Sequence, residues 1–319
     1  MDKNSHFFSS KRLKSIIKIL FPIIFFGIIL FEGRKELSSI NINEVKTVLK
    51  SMPPYMLVLL TIGGIITAST SYIHDRIVAK EFSKNLSKLK TFRISFISNT
   101  LNNISGGFSS AGVRGFLYVK EGINPKEATY YNIMIITSFS TGISALTLIM
   151  LLNLKNIRPI FDQYEFALIA TIIVLFFIPT YYLINKNKWI RTKLVREEQS
   201  NFISSKVLNK LLLSSIIEWS VTSIFFTLAT LYFAPEGGFI NIFSVFVISS
   251  IVGIVSLMPG AIGAFDVTLL LGMSVINIDS HKAVASLMMF RLFYYIVPLI
   301  IALFIAVPEF FKKNNGGES

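Results

Sequence analysis

The 319-residue chain contains no cysteine, only three histidines and only two tryptophans. Without cysteine there is no disulfide, no thiolate nucleophile and no thiolate metal site. His6, His74 and His281 lie far apart in sequence, so an imidazole-based zinc site is not expected. Charge is also scarce: 15% of residues are charged, against roughly 25% in soluble domains. Nor do motifs for common chemistries occur. There is no Walker A loop, no GxSxG elbow and no HExxH pair. The longest segment between apolar runs is roughly 25 residues, far short of a cofactor-binding or acyl-transfer domain. The chain is therefore expected to hold no catalytic residues, no metal and no cofactor.

Apolar sequence is abundant. Hydrophobic residues make up 52% of the chain, and its mean hydropathy is +0.62. Runs at roughly 15–31, 53–73, 127–152, 166–185, 208–233 and 283–307 approach or exceed the ~20 residues that cross a bilayer as a helix. The first run starts near Ile16, has no small-residue cleavage site and reads as a retained helix. The fold class is thus all-α and polytopic, a single integral membrane domain over residues 1–319. A net charge of +13 is also met in nucleic-acid-binding proteins, but here the basic residues fall between the runs, which suits a membrane surface instead.

Those basic residues set an orientation. Lys3, Lys11, Arg12, Lys14 and Lys18 precede the first run, segment 74–93 carries six lysines and arginines, and segment 185–210 carries seven. Segments 153–165 and 234–240 carry two and none, whereas 32–51 carries four beside Glu32, Glu36 and Glu44. Excess positive charge inside puts both termini in the cytoplasm of a cell (plasma) membrane protein, with 309–319 as a cytoplasmic tail. On this reading Asp75 and Arg76 lie at a membrane edge.

Two apolar stretches, roughly 91–121 and 240–277, are interrupted by glycine-rich breaks. Irregular backbone at membrane depth is tolerated only where protein buries it or it lines a cavity. Paired breaks in corresponding halves are a pointer to a transport-type site. Each stretch is expected to fold as a re-entrant hairpin of two half-helices. With six full spans this gives pseudo-repeats 1–152 and 160–308 of inverted topology. The rival is an eight-span arrangement in which 240–257 crosses fully and 264–277 is a short span.

The first break, NNISGGFSSAGVRGFLY from Asn102 to Tyr118, offers Asn102, Asn103 and Ser105 as polar groups. Gly106 and Gly107 permit the turn. Ser109 or Ser110 can then cap a second half-helix, whose N-terminus would favour an anion with Arg114 as its clamp. The plainer reading is a packing turn with a snorkelling arginine. In the second break, SLMPGAIGAFD from Ser256 to Asp266, Pro259 ends one helix and Gly260 and Gly263 turn the chain. Asp266 either caps the next helix or partners a cationic headgroup, Arg114 or Arg291. Two further charges, Glu218 and Arg291, fall inside spans, with Tyr294 and Tyr295 on the face of Arg291. A charge at membrane depth costs at least ~2.5–3.5 kcal/mol, so a partner or a wet cavity is expected. Both a Glu218–Arg291 ion pair and a headgroup cavity satisfy that requirement.

Three segments resemble one family. NNISGGFSSAGVRGFLY is similar to the NN-x-SG-x-GG…GA-x-LR…LY run of the lysylphosphatidylglycerol synthase transmembrane region, the flippase-like domain of the multiple peptide resistance factor. SLMPGAIGAFD resembles its PGG-x-G-x-FE run, and MMFRLFYYIVPLIIAL, from Met288, its R-x-x-YY-x-x-P pattern. The chain departs at Ala261, where a second glycine is usual, and at Asp266, where glutamate is usual. The family's aminoacyl-transferase domain has no counterpart here. The resemblance implies translocation of an aminoacyl-phospholipid and resistance to cationic peptides, without lysyl transfer from tRNA.

The reading is therefore a lipid translocator for an anionic or aminoacylated phospholipid. The headgroup phosphate would sit between the half-helix N-termini, compensated by Arg114 and Arg291, and an ammonium would meet Glu218 or Asp266. Two alternatives stay open: a scaffold for a separate phosphatidylglycerol lysyltransferase, docking through segments 74–93 and 185–210, and a small-solute transporter. The partners are phospholipid and, on the scaffold reading, a synthase; nucleic acid is not expected, and homo-oligomerisation is left open.

Overall fold

A computed structural model of the chain describes residues 52–82, 86–105, 107–187, 189, 204–256, 261 and 263–311, with isolated positions at 43, 46, 47 and 50. The expected first span, 15–31, lies outside the described residues. The described residues are helical almost throughout and contain no strand. In hydrocarbon a helix satisfies its own backbone polar groups, and this sequence adheres to that solution.

Helices α1 (Pro54–Ser69) and α2 (Tyr72–Phe82) form one long apolar rod with a turn at Thr70–Ser71. Helices α3 (Lys88–Ser105) and α4 (Gly107–Lys120) form a pair, followed by α5 (Pro125–Leu151). Asn124 starts α5 by accepting a hydrogen bond from the Lys126 N–H, with Pro125 at the first helical position. Short α6 (Leu154–Gln163) then leads to α7 (Glu165–Leu175) and α8 (Phe177–Lys186). The break between α7 and α8 lies just before Pro179, whose ring opposes the carbonyl of Leu175. Helix α9 (Ser205–Phe233) is capped by Ser204. Helices α10 (Phe239–Val255) and α11 (Ala264–Val275) form the second pair. The last rod comprises α12 (Ser280–Phe290), a π-helical stretch Arg291–Ile296 and α13 (Val297–Phe311).

Five of these units are long and apolar enough to cross a membrane: Pro54–Glu81, Pro125–Leu151, Glu165–Lys186, Ser205–Phe233 and Ser280–Val307. The protein is an all-α polytopic membrane protein. Helix α11 has 12 residues, which at 1.5 Å per residue extends only ~18 Å against a ~30 Å core. It cannot cross alone, in keeping with a hairpin at the second break.

The two halves pack alike. Each hairpin lies against the long helix that follows it, α4 on α5 and α11 on α12. Each also lies against the corresponding rod of the other half, α3 on α13 and α10 on α5. The rod preceding each hairpin crosses to the other half too: α9 packs on α5, and α1 on the π stretch.

Small residues permit these crossings, as membrane helix contacts require. A Cβ on Gly142 would lie 2.0 Å from the Ser215 Oγ and 2.6 Å from the Ser215 carbonyl carbon. A Cβ on Gly64 would lie 2.0 Å from the Phe293 carbonyl oxygen. At 142 the backbone of α9 itself blocks a side chain.

Segment 74–93 is largely helical: α2 continues to Phe82 and α3 starts at Lys88. The buried positions Ala68, Ser71, His74, Asp75, Val78 and Ala79 recur every three or four residues, carrying one packed face from α1 through the turn into α2. Hydropathy falls at the first charges, but the packing stripe does not.

Replacing Gly142 with alanine is expected to lower stability by about 1–3 kcal/mol or more through overpacking. The check is thermal unfolding in detergent. Adding Ser215→Ala removes only Oγ and should not restore the melting temperature, whereas full recovery would show that the backbones are not in contact.

Candidate functional site

The buried charges form two groups. In the first, α2 supplies His74 and Asp75, α4 supplies Arg114 and Tyr118, and α9 supplies Glu218. Arg114 Nε lies 3.3 Å from Asp75 Oδ1, and these side chains are 4% and 0% exposed. The Tyr118 hydroxyl donates to the same Asp75 oxygen. The neighbouring residue on α2, His74, places Nδ1 3.2 Å from Glu218 Oε2. Ion pairs at this depth lose several kcal/mol of hydration per charge, so they persist only when closely matched.

The matching is incomplete. Asp75 Oδ2, His74 Nε2, Asn103 Nδ2 and both Glu218 carboxylate oxygens are buried without a hydrogen-bond partner. Native interiors leave few such atoms, and each calls for an explanation. These lie on three elements, α2, α3 and α9, and Tyr294 of the π stretch joins them: its hydroxyl faces Thr222, Asn103 and Glu218.

The second group sits at the other hairpin. Arg291 donates from a terminal guanidinium nitrogen to Asp266 Oδ1 at 2.6 Å, and its guanidinium carbon is 4.7 Å from the Tyr295 ring centre. Asp266 Oδ2 accepts the Gly263 N–H at 2.9 Å, the reciprocal half of a helix-start box. Gly263 has φ of +86°, a conformation glycine adopts freely, whereas Ala261 holds φ of +56° with a Cβ. Asp266 thus both starts α11 and pairs with Arg291, so its two expected roles are compatible.

The π stretch carries Arg291, Tyr294 and Tyr295. The Val297 N–H reaches back five residues to the Leu292 carbonyl, and Pro298, lacking an N–H, cannot bond to Tyr294. Single π turns in otherwise α-helical segments recur at functional sites.

Several expectations are corrected. Asp75 is fully buried within the protein, a burial the sequence did not anticipate, and Arg76 turns back to donate to the Leu86 carbonyl at 3.1 Å. Glu218 and Arg291 do not pair; each has another partner, because α9 presents Glu218 to α2 while Arg291 faces the start of α11. Arg114 and Arg291 each meet a carboxylate, Asp75 and Asp266. Helix α4 begins at Gly107, so Ser109 and Ser110 lie inside its first turn rather than capping it. Asn102 and Asn103 are half-buried near the end of α3. The break does fall between Ser105 and Gly107, but Gly106, Pro259 and Gly260 lie outside the described residues, as do the surroundings of Ser105 and Gly107. The residues missed by sequence reasoning are His74, Asp75, Tyr118 and Thr222. The packing stripe through α1 and α2 was the signal for the first two.

Residues 15–302 match the lysylphosphatidylglycerol synthase TM region. The chain is 29% identical over 303 residues to the phosphatidylglycerol lysyltransferases of Staphylococcus aureus strains MW2 and COL. It is 28% identical over 303 residues to the phosphatidylglycerol lysyltransferase of Staphylococcus xylosus. Each match covers 94% of this chain, which spans only 35% of the length of those relatives. The lysyltransferase name describes proteins of which the matched stretch is the membrane region. Because that match runs through both hairpins and their buried charges, the chain belongs to the lysylphosphatidylglycerol synthase transmembrane-region family.

Proposed function

We propose that this membrane domain moves a phospholipid headgroup between leaflets, its cargo an anionic or aminoacylated phospholipid such as lysyl-phosphatidylglycerol. The observation that carries the reading is the under-satisfied polar group formed by Asp75, Arg114, His74, Glu218, Asn103 and Tyr294, drawn from both halves and buried in the bundle. A purely structural set of ion pairs would close its hydrogen bonds, whereas a set that exchanges partners with cargo leaves acceptors open. The relatives are phosphatidylglycerol lysyltransferases, which points to the lipid class. On this reading 1–152 and 160–308 are inverted pseudo-repeats, and the hairpins rock against the rods to alternate access. Arg114 holds the phosphate when Asp75 releases it, with Asn103 as a further donor. Arg291 and Asp266, beside Tyr295, form the corresponding pair of the second hairpin.

A second reading is favoured by one observation: the relatives extend well beyond the matched region. This domain would then dock a separate synthase. Segment 185–210, one of its two expected faces, lies largely outside the described residues.

Leaflet exchange of labelled phosphatidylglycerol and its lysyl ester in proteoliposomes tests the proposal. Wild type should exchange at least one of them and Arg114→Gln should not. The substitution leaves Asp75 buried and unpaired, which is expected to cost about 3–5 kcal/mol of stability. Asp75→Asn with Arg114→Gln should regain most of the melting temperature yet stay inactive. If the double variant exchanges lipid normally, Arg114 is only a structural latch. Absence of exchange by wild type, together with capture of a synthase, would favour the docking reading.

A further inference from the structure

Among the described buried charges, Asp75 faces Arg114 and Asp266 faces Arg291, while Glu218 has only His74. With those two pairs closed, the Glu218 carboxylate has no positive charge opposite it unless His74 carries a proton. His74 is 1% exposed and its Nε2 has no partner, so no neighbouring acceptor fixes the ring as permanently charged. Glu218 in turn receives no hydrogen bond from His74 despite the 3.2 Å approach, since both its oxygens remain unpartnered.

The titratable and charged groups in contact around the pair come from several neighbouring elements. Asp75 is adjacent on α2, Arg114 and Tyr118 lie on α4, Tyr131 on α5 stacks edge-on against Tyr118, and Tyr294 lies on the π stretch beside Glu218. Asp75 and Arg114 offset each other. The tyrosines stay neutral at ordinary pH. The charge opposite Glu218 is therefore decided at His74.

We infer that Glu218 holds one positive charge at a time, either the proton on His74 or the primary ammonium of a headgroup, so that cargo entry releases a proton. This rests on the translocation reading and names its coupling. In the resting state protonated His74 faces the Glu218 carboxylate. When an ammonium takes its place, the imidazole N–H bond breaks, the electron pair stays on the ring and the proton passes to water admitted with the headgroup. Nothing is oxidised or reduced. Departure of the ammonium reverses the step, so unloading on the other side takes up a proton there.

The chain's three histidines make the test direct. Protein labelled with nitrogen-15 histidine is placed in phosphatidylglycerol vesicles, in vesicles containing lysyl-phosphatidylglycerol, and in phosphatidylglycerol vesicles with soluble lysine methyl ester. Ring-nitrogen NMR signals are followed from pH 5 to 9, assigned with His6→Gln and His281→Gln. Exposed His281 reports the shift in surface pH that lipid charge alone produces. At a pH where phosphatidylglycerol vesicles hold His74 protonated, the lysyl lipid should move its ring-nitrogen signals toward the neutral form beyond any change at His281, because the charge opposite it is neutralised. A shift with the soluble ester as well would identify the ammonium alone as the competitor; a shift with the lipid only would identify the anchored headgroup. Glu218→Gln should leave His74 neutral throughout and abolish the competition. The inference is overturned if His74 keeps one protonation state from pH 5 to 9, or if its midpoint follows His281 in every vesicle. Proton release measured with a pH dye during leaflet exchange separates the two readings. Exchange with no proton release overturns the coupling and leaves translocation standing. Failure of wild type to exchange overturns translocation, and the histidine signals still decide whether proton and ammonium compete at Glu218.

Discussion

Charge neutrality inside a low-dielectric bundle is the constraint on which this structure depends. An isolated charge there costs at least ~2.5–3.5 kcal/mol, more than a typical apolar contact returns. Each buried charge therefore dictates which helix its own helix lies against. Arg114 holds α4 to α2 through Asp75, Glu218 holds α9 to α2 through His74, and Arg291 holds the last rod to α11 through Asp266. Lipid is as apolar as leucine, so apolar packing alone does not choose among helix arrangements. The ion pairs and the close crossings at Gly64 and Gly142 make that choice.

The two hairpins solve the same backbone problem with opposite signs. Helix α4 of the first carries a cation and α11 of the second an anion, and each meets its counter-charge on a long rod of its own half. The partners on the rods are reversed accordingly, Asp75 before the first hairpin and Arg291 after the second. A single-sign ligand would disturb both sites in the same direction. A headgroup bearing phosphate and ammonium carries both signs and can satisfy one member of each pair at once. The sign reversal is therefore better matched to an aminoacylated lipid than to a simple anion.

Much of this was legible in the chain, and the misses share a cause. Long apolar helices declare themselves by hydropathy, and the breaks by glycine and proline, because both signals are local. Arg114, Glu218, Asp266 and Arg291 were conspicuous as charges within apolar runs. Their partners were not, since pairing depends on tertiary contact. Glu218 and Arg291 are oppositely charged and both deep, and only the crossing of α9 over α2 sends the glutamate to His74 instead. Asp75 and His74 were hidden by their basic neighbours, which resemble the edge of a membrane span. Their side chains follow the buried stripe of α1, a periodic signal that a hydropathy window averages away.

The location of His74 bears on how such a bundle can move. It is the third residue of α2 after the Thr70–Ser71 turn, where the α1–α2 rod is interrupted, and its neighbour Asp75 holds the first hairpin. Two adjacent residues thus tie one short helix to both the hairpin and α9. If the tie to α9 slackens when the histidine loses its proton, α2 is free to pivot at the turn above it and carries Asp75 along. That displacement draws a carboxylate away from Arg114, and the guanidinium then needs another anion. A headgroup that brings an ammonium to Glu218 also brings a phosphate, and the phosphate can take the place of Asp75. The two exchanges are coupled by the peptide bond between residues 74 and 75, which requires no longer-range pathway. Proton release and headgroup capture would then be a single local event.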